Sequence, residues 1–227
     1  MKTLPIHECF YTWQGEGTHT GRAAFFIRTM GCPVQCPWCD SAGTWHPDYV
    51  PAKVQRIPVT ELVAAATATN CECVVITGGE PTIHDLSELT QQLHEAQLHV
   101  HLETCGAFPI KGAFDWITVS PKWWKLPITG NVARANEVKL IVEDTTTIAK
   151  WVETLHPYLD AVPTIWLHPE WSKRNDKAIL AAISAYVKQH GGAFRAGLQA
   201  HKYYAVDALD ERSQQPAPLG GNPDRGY

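Results

Sequence analysis

Cys32, Cys36 and Cys39 form a C-x3-C-x2-C array within residues 31–40 (GCPVQCPWCD). Three thiolates this close must share one loop, and prolines at 33 and 37 keep that loop from closing into a helix. The chain can therefore wrap around a bulky object and present three sulfurs to it. A structural zinc ion wants four protein ligands, and an ordinary four-iron cluster also takes four cysteines. Three cysteines leave one iron of such a cluster open to an amino and carboxylate chelate from outside the protein, which is a catalytic arrangement. A zinc knuckle completed by His46 or Cys9 is the competing reading of the same residues.

Two further stretches carry polar groups suited to a ligand. The run CVVIT at 73–77 is followed by Gly78-Gly79-Glu80-Pro81, so the chain leaves an expected strand through two glycines and sets a carboxylate at its C-terminal end. Glycines let backbone approach a ligand closely, although a tight turn with a solvated Glu80 explains the same residues. Earlier, residues 10–17 (FYTWQGEG) precede an apolar run that ends at Ile27-Arg28. Gln14 and Glu16 can pair with the edge of a flat heterocycle, Trp13 can stack on it, and Arg28 can fork onto a carboxylate. Each polar group reads equally as a satisfied residue at a loop or strand end. Gly15, Gly17 and Gly21 do not make a dinucleotide fingerprint, because their spacing is wrong and they precede a strand.

The elements that must position these groups alternate between short β-rich runs and helical patterns, the mark of parallel strands joined by helical crossovers. Strands are expected at 22–29, 73–77, 98–103, 115–119, 137–142, 164–167 and 194–199. Helices are expected at 60–69 with Thr60 as cap, at 86–97 with Asp85 and Glu88 as a capping box, at about 146–159, and at 176–190 before Gly191-Gly192. Right-handed crossovers would curl this series into a full or partial barrel, with a flat doubly wound sheet as the competing architecture. In either, ligands gather at the C-terminal ends of the strands, where the cysteine loop and the glycine-glutamate turn both fall. No internal repeat or long charge run is present. Residues 213–227 hold three prolines and three glycines, and are expected to form a mobile appendix without a catalytic role.

Composition sets the outer limits. The 227 residues are 44% hydrophobic and 19% charged, as in an ordinary globular chain long enough to have a core without disulfides or structural metal. With 19 basic and 23 acidic residues the formal net charge is -4, which argues against wrapping nucleic acid but not against a small anionic substrate. No apolar run is long enough to span a bilayer, and residues 1–10 lack a signal-peptide pattern, so a cytoplasmic protein is expected. Seven cysteines, three of them clustered, suit metal ligation in a reducing compartment better than a disulfide framework. Cys9, Cys71, Cys73 and Cys105 lie in or beside expected strands and read as packing residues. Trp123 and Trp124 are expected to line the site or a subunit contact.

The cysteine array, with Trp38 ahead of its third member, resembles the cluster loop of radical S-adenosylmethionine enzymes, and GGE at 78–80 is similar to the turn that holds the methionine ammonium in them. Within that superfamily, FYTWQGEG, GCPVQCPWCDS, VVITGGEPTIHDL (74–86), LETCG (102–106), VSPK (119–122) and LQAHKYY (198–204) resemble the 7-carboxy-7-deazaguanine synthase family over about residues 5–204. The resemblance implies an α/β fold, a partial (β/α) barrel with reduced helices over residues 1–204, followed by a flexible extension at 205–227. It implies a carbon-nitrogen lyase that converts 6-carboxy-5,6,7,8-tetrahydropterin to 7-carboxy-7-deazaguanine with loss of ammonia, on the route to queuosine and other deazapurines. A 5'-deoxyadenosyl radical would take hydrogen from the pterin carbon that bears the carboxylate.

Carried over residue by residue, the family pattern puts a 4Fe-4S cluster on Cys32, Cys36 and Cys39. S-adenosylmethionine would lie on Trp38, Cys39, Asp40, Gly79, Glu80, Ser120, Pro121 and Lys122, with Glu103 on its ribose hydroxyls. The pterin would lie on Trp13, Gln14, Gly15, Glu16, Arg28, Thr77 and His201. Magnesium would be held by Ser41, where the family commonly has threonine, and Ala200 stands where the family has the threonine of QTHK. Also implied are a flavodoxin or ferredoxin as electron donor, a homodimer, and no nucleic-acid or membrane partner. A glycyl-radical activating enzyme and a non-catalytic zinc module remain the alternatives.

Overall fold

The computed structural model describes residues 2–214. They form one mixed sheet of nine strands in the order β3-β1-β2-β4-β5-β6-β7-β8-β9. The strands are β1 (Thr3–Trp13), β2 (Ala23–Thr29), β3 (Gln55–Pro58), β4 (Cys73–Gly78), β5 (His99–Thr104), β6 (Trp116–Val119), β7 (Glu137–Val142), β8 (Ile165–Pro169) and β9 (Phe194–Ala196). From β2 through β9 every neighbour in the sheet is parallel, whereas β1 runs antiparallel to both β2 and β3. The sheet is open, which gives the expected partial barrel. Helices are α1 (Val59–Thr67), α2 (Ser87–Glu95), α3 (Thr129–Ala133), α4 (Thr147–Leu155), α5 (Lys177–His190) and α6 (Ala200–Tyr204). None of them is long and apolar enough to cross a membrane.

Alternation along the strands divides the sheet into two chemically different faces. In register across the sheet, Ile27 meets Ile76, Ile76 meets Leu102, Leu102 meets Ile117, Val119 meets Val138, and Leu140 meets Leu167. This apolar face is buried under Leu62, Leu89, Leu93, Ile148, Trp151, Ile179 and Ile183 of the helices. The residues between those apolar positions point the other way and are mostly polar: Arg28 beside Thr77, Glu103 beside Thr118, and Lys139 beside Trp166. A fold whose crossovers cover one face thus leaves the other free to carry chemistry.

The N-terminal end of the polar face is closed by the single turn at Gly17–His19. There the His19 ring lies 4.5 Å from that of His101 and 4.4 Å from that of Trp116. Glu137 is held nearby by the Thr18 N–H (3.0 Å), the Thr118 hydroxyl (2.9 Å) and the Trp166 indole N–H (2.9 Å). Burial pushes both His101 and, on β8, His168 down to about 4. Unfolded, the two rings titrate near 6.5, so the unfolded chain takes up protons first as pH falls. Stability should be full above about pH 6.5 and decline by a few kcal/mol between there and about pH 4. Denaturant midpoints measured across that window should fall, and His101→Gln should flatten part of the slope.

Several boundaries differ from the sequence expectation for local reasons. Pro58 takes the N-cap of α1, not Thr60. Asp85 accepts the Ser87 N–H at 3.0 Å, but Glu88 pairs with Gln92 (3.2 Å) instead of turning back, so no capping box forms. The helix expected to reach 159 stops at Leu155, because His156 is extended ahead of Pro157; a separate turn follows at Tyr158–Ala161. The last strand ends at Ala196, and 200–204 is helical. Of the expected appendix, 215–227 lies outside the described residues. Ser213 and Gln214 are described, and Gln214 donates its backbone N–H to Glu8 (2.5 Å) and its side chain to the His7 carbonyl (2.8 Å).

Candidate active site

One cavity of about 480 Å³ opens on the polar face at the C-terminal ends of the parallel strands. It is lined by every residue that the family pattern assigns to cluster, sulfonium ligand, pterin or magnesium except Pro121, which is buried in the turn after β6; Trp123 and Trp124 do not line it. A size of a few hundred cubic ångströms suits small molecules.

The cysteine loop leaves β2 at Gly31, whose φ of +93° is a conformation that suits glycine. Its carbonyl accepts the Glu80 N–H at 2.8 Å, and the Thr29 carbonyl accepts the Gly79 N–H at 2.9 Å, so the loop and the glycine-glutamate turn are sewn together. The approach is close: a Cβ on Gly79 would lie 2.2 Å from the Gly31 carbonyl oxygen, and one on Gly78, at φ +124°, would lie 2.2 Å from the Thr29 nitrogen. Both neighbours are backbone and cannot swing away. Gly79→Ala should therefore lower stability by about 1–3 kcal/mol, as overpacking does, and should loosen the cysteine loop. Denaturant unfolding with thiol-accessibility labelling would show both.

All three thiols line the cavity. Cys39 Sγ accepts the Ser41 N–H (3.3 Å) and the Trp45 indole N–H (3.4 Å), and the backbone N–H groups of Gln35 and Val34 face Cys32. Donors around sulfur stabilise thiolate and tune an iron-sulfur centre. Burial pushes the Cys36 thiol up to about 12 and that of Cys39 to about 11, so iron must displace protons to bind. Among the described residues no three His, Cys, Asp or Glu side chains converge on a single ion. The donor set fits a cluster held by three cysteines.

Around this loop lie the other residues expected to contact the nucleoside sulfonium. Trp38 sits edge-on to Trp124 at 6.2 Å, and Trp124 donates to the Val34 carbonyl at 2.6 Å, which ties the segment after β6 to the cysteine loop. Its neighbour Trp123 instead stacks on Trp151 at 3.5 Å, on the helix-covered side. Lys122 reaches back to the Ser120 carbonyl and hydroxyl (2.5 and 2.8 Å), with its ammonium 5.4 Å over the Trp38 ring. Glu80 is buried, and its carboxylate already accepts from Thr82, Thr104 and the Cys105 N–H (2.8 Å). Asp40 pairs with Lys202 of α6 at 2.8 Å, and this cation holds its carboxyl well below the usual range in spite of burial.

The opposite wall is a chain of charged and amide groups. Arg28 donates Nε to Glu8 at 2.6 Å and one terminal nitrogen to Ser41 at 3.1 Å, and its guanidinium lies 5.7 Å over the Phe10 ring. Gln14 donates to Glu103 at 3.2 Å, and Lys139 bridges Glu103 (3.2 Å) to Glu16. Glu16 also accepts from Gln199 at 2.6 Å. Burial pushes the Glu103 carboxyl up to about 7, whereas at Glu16 the Lys139 ammonium overcomes the same burial and holds the carboxyl well below its usual range. His201 packs against the Gly15 backbone, where a Cβ would meet its Nδ1 at 2.3 Å. Trp13 contacts Tyr204 edge-on at 5.4 Å, and Thr77 lies beside Arg28.

Sequence reasoning missed Glu8, Lys139 and Lys202. Lys139 carried a legible signal, a lone charge inside the apolar run EVKLIV. Glu8 and Lys202 had none, since only the fold brings them to Arg28 and Asp40.

The radical SAM superfamily model matches residues 26–171. A 7-carboxy-7-deazaguanine synthase from Synechocystis sp. is 43% identical over 204 residues, covering 90% of this chain and 94% of that protein. One from Escherichia coli K12 is 33% identical over 230 aligned positions, covering 89% and 98%. The crystal structure of QueE from Escherichia coli superposes with a TM-score of 0.73 at 32% identity, covering 88% of this chain and 95% of that one. Streptococcus suis SuiB, at 13% identity and a TM-score of 0.55, shares the fold. The zinc-module alternative falls with these matches, and the chain belongs to the radical SAM superfamily and, within it, to the 7-carboxy-7-deazaguanine synthase family.

Proposed function

We propose that this chain converts 6-carboxy-5,6,7,8-tetrahydropterin to 7-carboxy-7-deazaguanine, with release of ammonia. The observation that carries the reading is the single cavity in which a three-cysteine loop faces Arg28 and the Gln14–Glu103–Lys139–Glu16 chain. A radical SAM enzyme uses a 4Fe-4S cluster and S-adenosylmethionine, which together supply one-electron cleavage of a sulfonium and abstraction of a substrate hydrogen.

The chain's own residues would bind and orient. Cys32, Cys36 and Cys39 hold the cluster, and Trp38, Asp40, Gly79, Glu80 and the Ser120-Pro121-Lys122 turn cradle the sulfonium ligand. Arg28, fixed from behind by Glu8, forks onto the pterin carboxylate. Gln14 and Glu16 pair with the aminopyrimidine edge, Trp13 and His201 flank the ring, and Thr77 completes the contact. Glu103, bonded to Gln14 and Lys139, would join them on the substrate side of the cavity. Such placement holds the reacting carbon near the cofactor and excludes water.

Magnesium would take the Ser41 hydroxyl, drawing its remaining oxygens from the substrate carboxylate and water, as this hard cation commonly does. Beside Arg28 such a site fits a cation only when that carboxylate is bound. A flavodoxin or ferredoxin as reductant, a homodimer and a cytoplasmic setting extend the proposal on family resemblance. Anaerobic incubation of reconstituted protein with reductant, S-adenosylmethionine, magnesium and the pterin should give 7-carboxy-7-deazaguanine by mass detection. Formation of 5'-deoxyadenosine with no such product would refute the substrate.

A further inference from the structure

On the substrate side of the cavity one ammonium is shared by two carboxylates. Lys139 Nζ contacts Glu16 and, at 3.2 Å, Glu103, and the three side chains are only 13%, 11% and 15% exposed. The partners are unequal. Glu16 holds the closer contact with Lys139 and a second donor in Gln199 at 2.6 Å, whereas both bonds to Glu103, from Gln14 and Lys139, are 3.2 Å long. A buried charge without a partner is strongly disfavoured, so two carboxylates with one ammonium favour a proton on one of them. The weaker contacts make Glu103 the one that takes up and gives back that proton, and burial raises its carboxyl to about 7. Other titratable groups face this triad from β7, β8 and α6: Glu137, already satisfied by Thr18, Thr118 and Trp166, then His168 and His201. None of them shares Glu103's bond to Lys139.

We propose that Glu103 is the proton-transfer residue of the ammonia-loss step, with Lys139 as the positioning residue that sets its proton affinity. This inference rests on the reaction assigned above. Substrate and product of that reaction differ by one ammonia, and no net oxidation occurs. Once the ring has contracted, the Glu103 carboxylate takes the proton from the ring carbon next to the one bearing the displaced amine. The electron pair of that C–H bond becomes the C=C bond of the five-membered ring. The C–N bond breaks with its pair on nitrogen, nitrogen takes the proton back from Glu103, and ammonia leaves with Glu103 again a carboxylate. A carboxyl that titrates near the working pH serves both halves of this exchange.

The test is Glu103→Gln in the reconstituted enzyme, with substrate deuterated at the carbon bearing its carboxylate. The variant should still move deuterium into the 5'-deoxyadenosyl group. Ammonia release should fall by about 100-fold or more, as loss of general acid–base catalysis does, and a species isomeric with the substrate should accumulate. The acidic limb of the wild-type kcat/KM profile near pH 7 should vanish. Glu103→Asp, which keeps a carboxyl, should slow ammonia release yet retain that limb.

Equal loss of label transfer and ammonia release in Glu103→Gln would overturn the proposal, as would unchanged ammonia release or a persisting limb. If the glutamine variant fails to load its cluster, a limb missing from Glu103→Asp would overturn it just as well. The parent reading fails separately, when the wild-type enzyme makes no 7-carboxy-7-deazaguanine in the same assay.

Discussion

Cys36→Ala should abolish cluster-dependent absorbance and S-adenosylmethionine cleavage together, while the protein stays folded. Cys36 lies in a loop on the cavity and contributes nothing to the apolar face on which the helices pack. Removing it costs no core contact, but two thiols cannot keep a four-iron cluster that already leaves one iron open. The effect should be all or none in activity and small in stability. Iron and acid-labile sulfide analysis beside circular dichroism checks it: full cluster loading with normal turnover in Cys36→Ala would refute the ligand set. The same variant should also show a cavity accessible to thiol reagents at Cys32 and Cys39, since both line it.

Arg28→Ala should have the second-largest effect, and of a different kind. Its side chain is 17% exposed and that of its partner Glu8 only 7%, so the variant both removes the fork for a substrate carboxylate and strands a buried anion. Truncating one member of such a pair costs about 2–5 kcal/mol, so kcat/KM for the pterin should fall by about 30- to 5,000-fold. Cluster content should be unchanged, because Arg28 supplies no ligand to the cluster and bonds to Ser41, beyond the third cysteine. Arg28→Lys should not restore activity, since an ammonium cannot hold Glu8, Ser41 and a carboxylate in one plane. Kinetics paired with iron analysis separates the outcomes: cluster loss, or unchanged kcat/KM, would contradict the role.

How much of this was legible in the sequence follows from how local each signal is. The parallel strands from 73 onward were readable because each is a short apolar run bounded by turn residues, and Glu137–Val142 falls where the pattern puts it. β1 was not, because its eleven residues mix polar and apolar types, include Pro5, and contain a register shift between Ile6 and Glu8. Its partner β3 is only four residues long, and none of the four is fully buried. The strand expected over 194–199 ends at Ala196, because Gly197 has no room for a side chain against His168 and the chain turns toward the helix at Ala200–Tyr204.

The site shows the same division. Cys32, Cys36, Cys39, Gly79 and Glu80 announce themselves because the chemistry depends on spacing within one loop. Glu8, Lys139 and Lys202 matter through partners far away in the chain: Lys139 lies 123 residues from Glu16. Only the fold supplies those contacts. Glu103 is intermediate: it is visible within LETCG, but its bonds to Gln14 and Lys139 come only from the fold.

The account turns on one cavity serving both the three-cysteine loop and the polar wall of Arg28, Gln14 and Glu16. The most direct measurement uses wild-type protein, reconstituted and reduced, with pterin deuterated at the carbon bearing the carboxylate. Direct transfer predicts deuterium in the 5'-deoxyadenosyl group, together with formation of the deazaguanine acid. Cleavage of S-adenosylmethionine on an intact cluster with no deuterium transferred would contradict it, because the radical and this substrate would then never share the cavity.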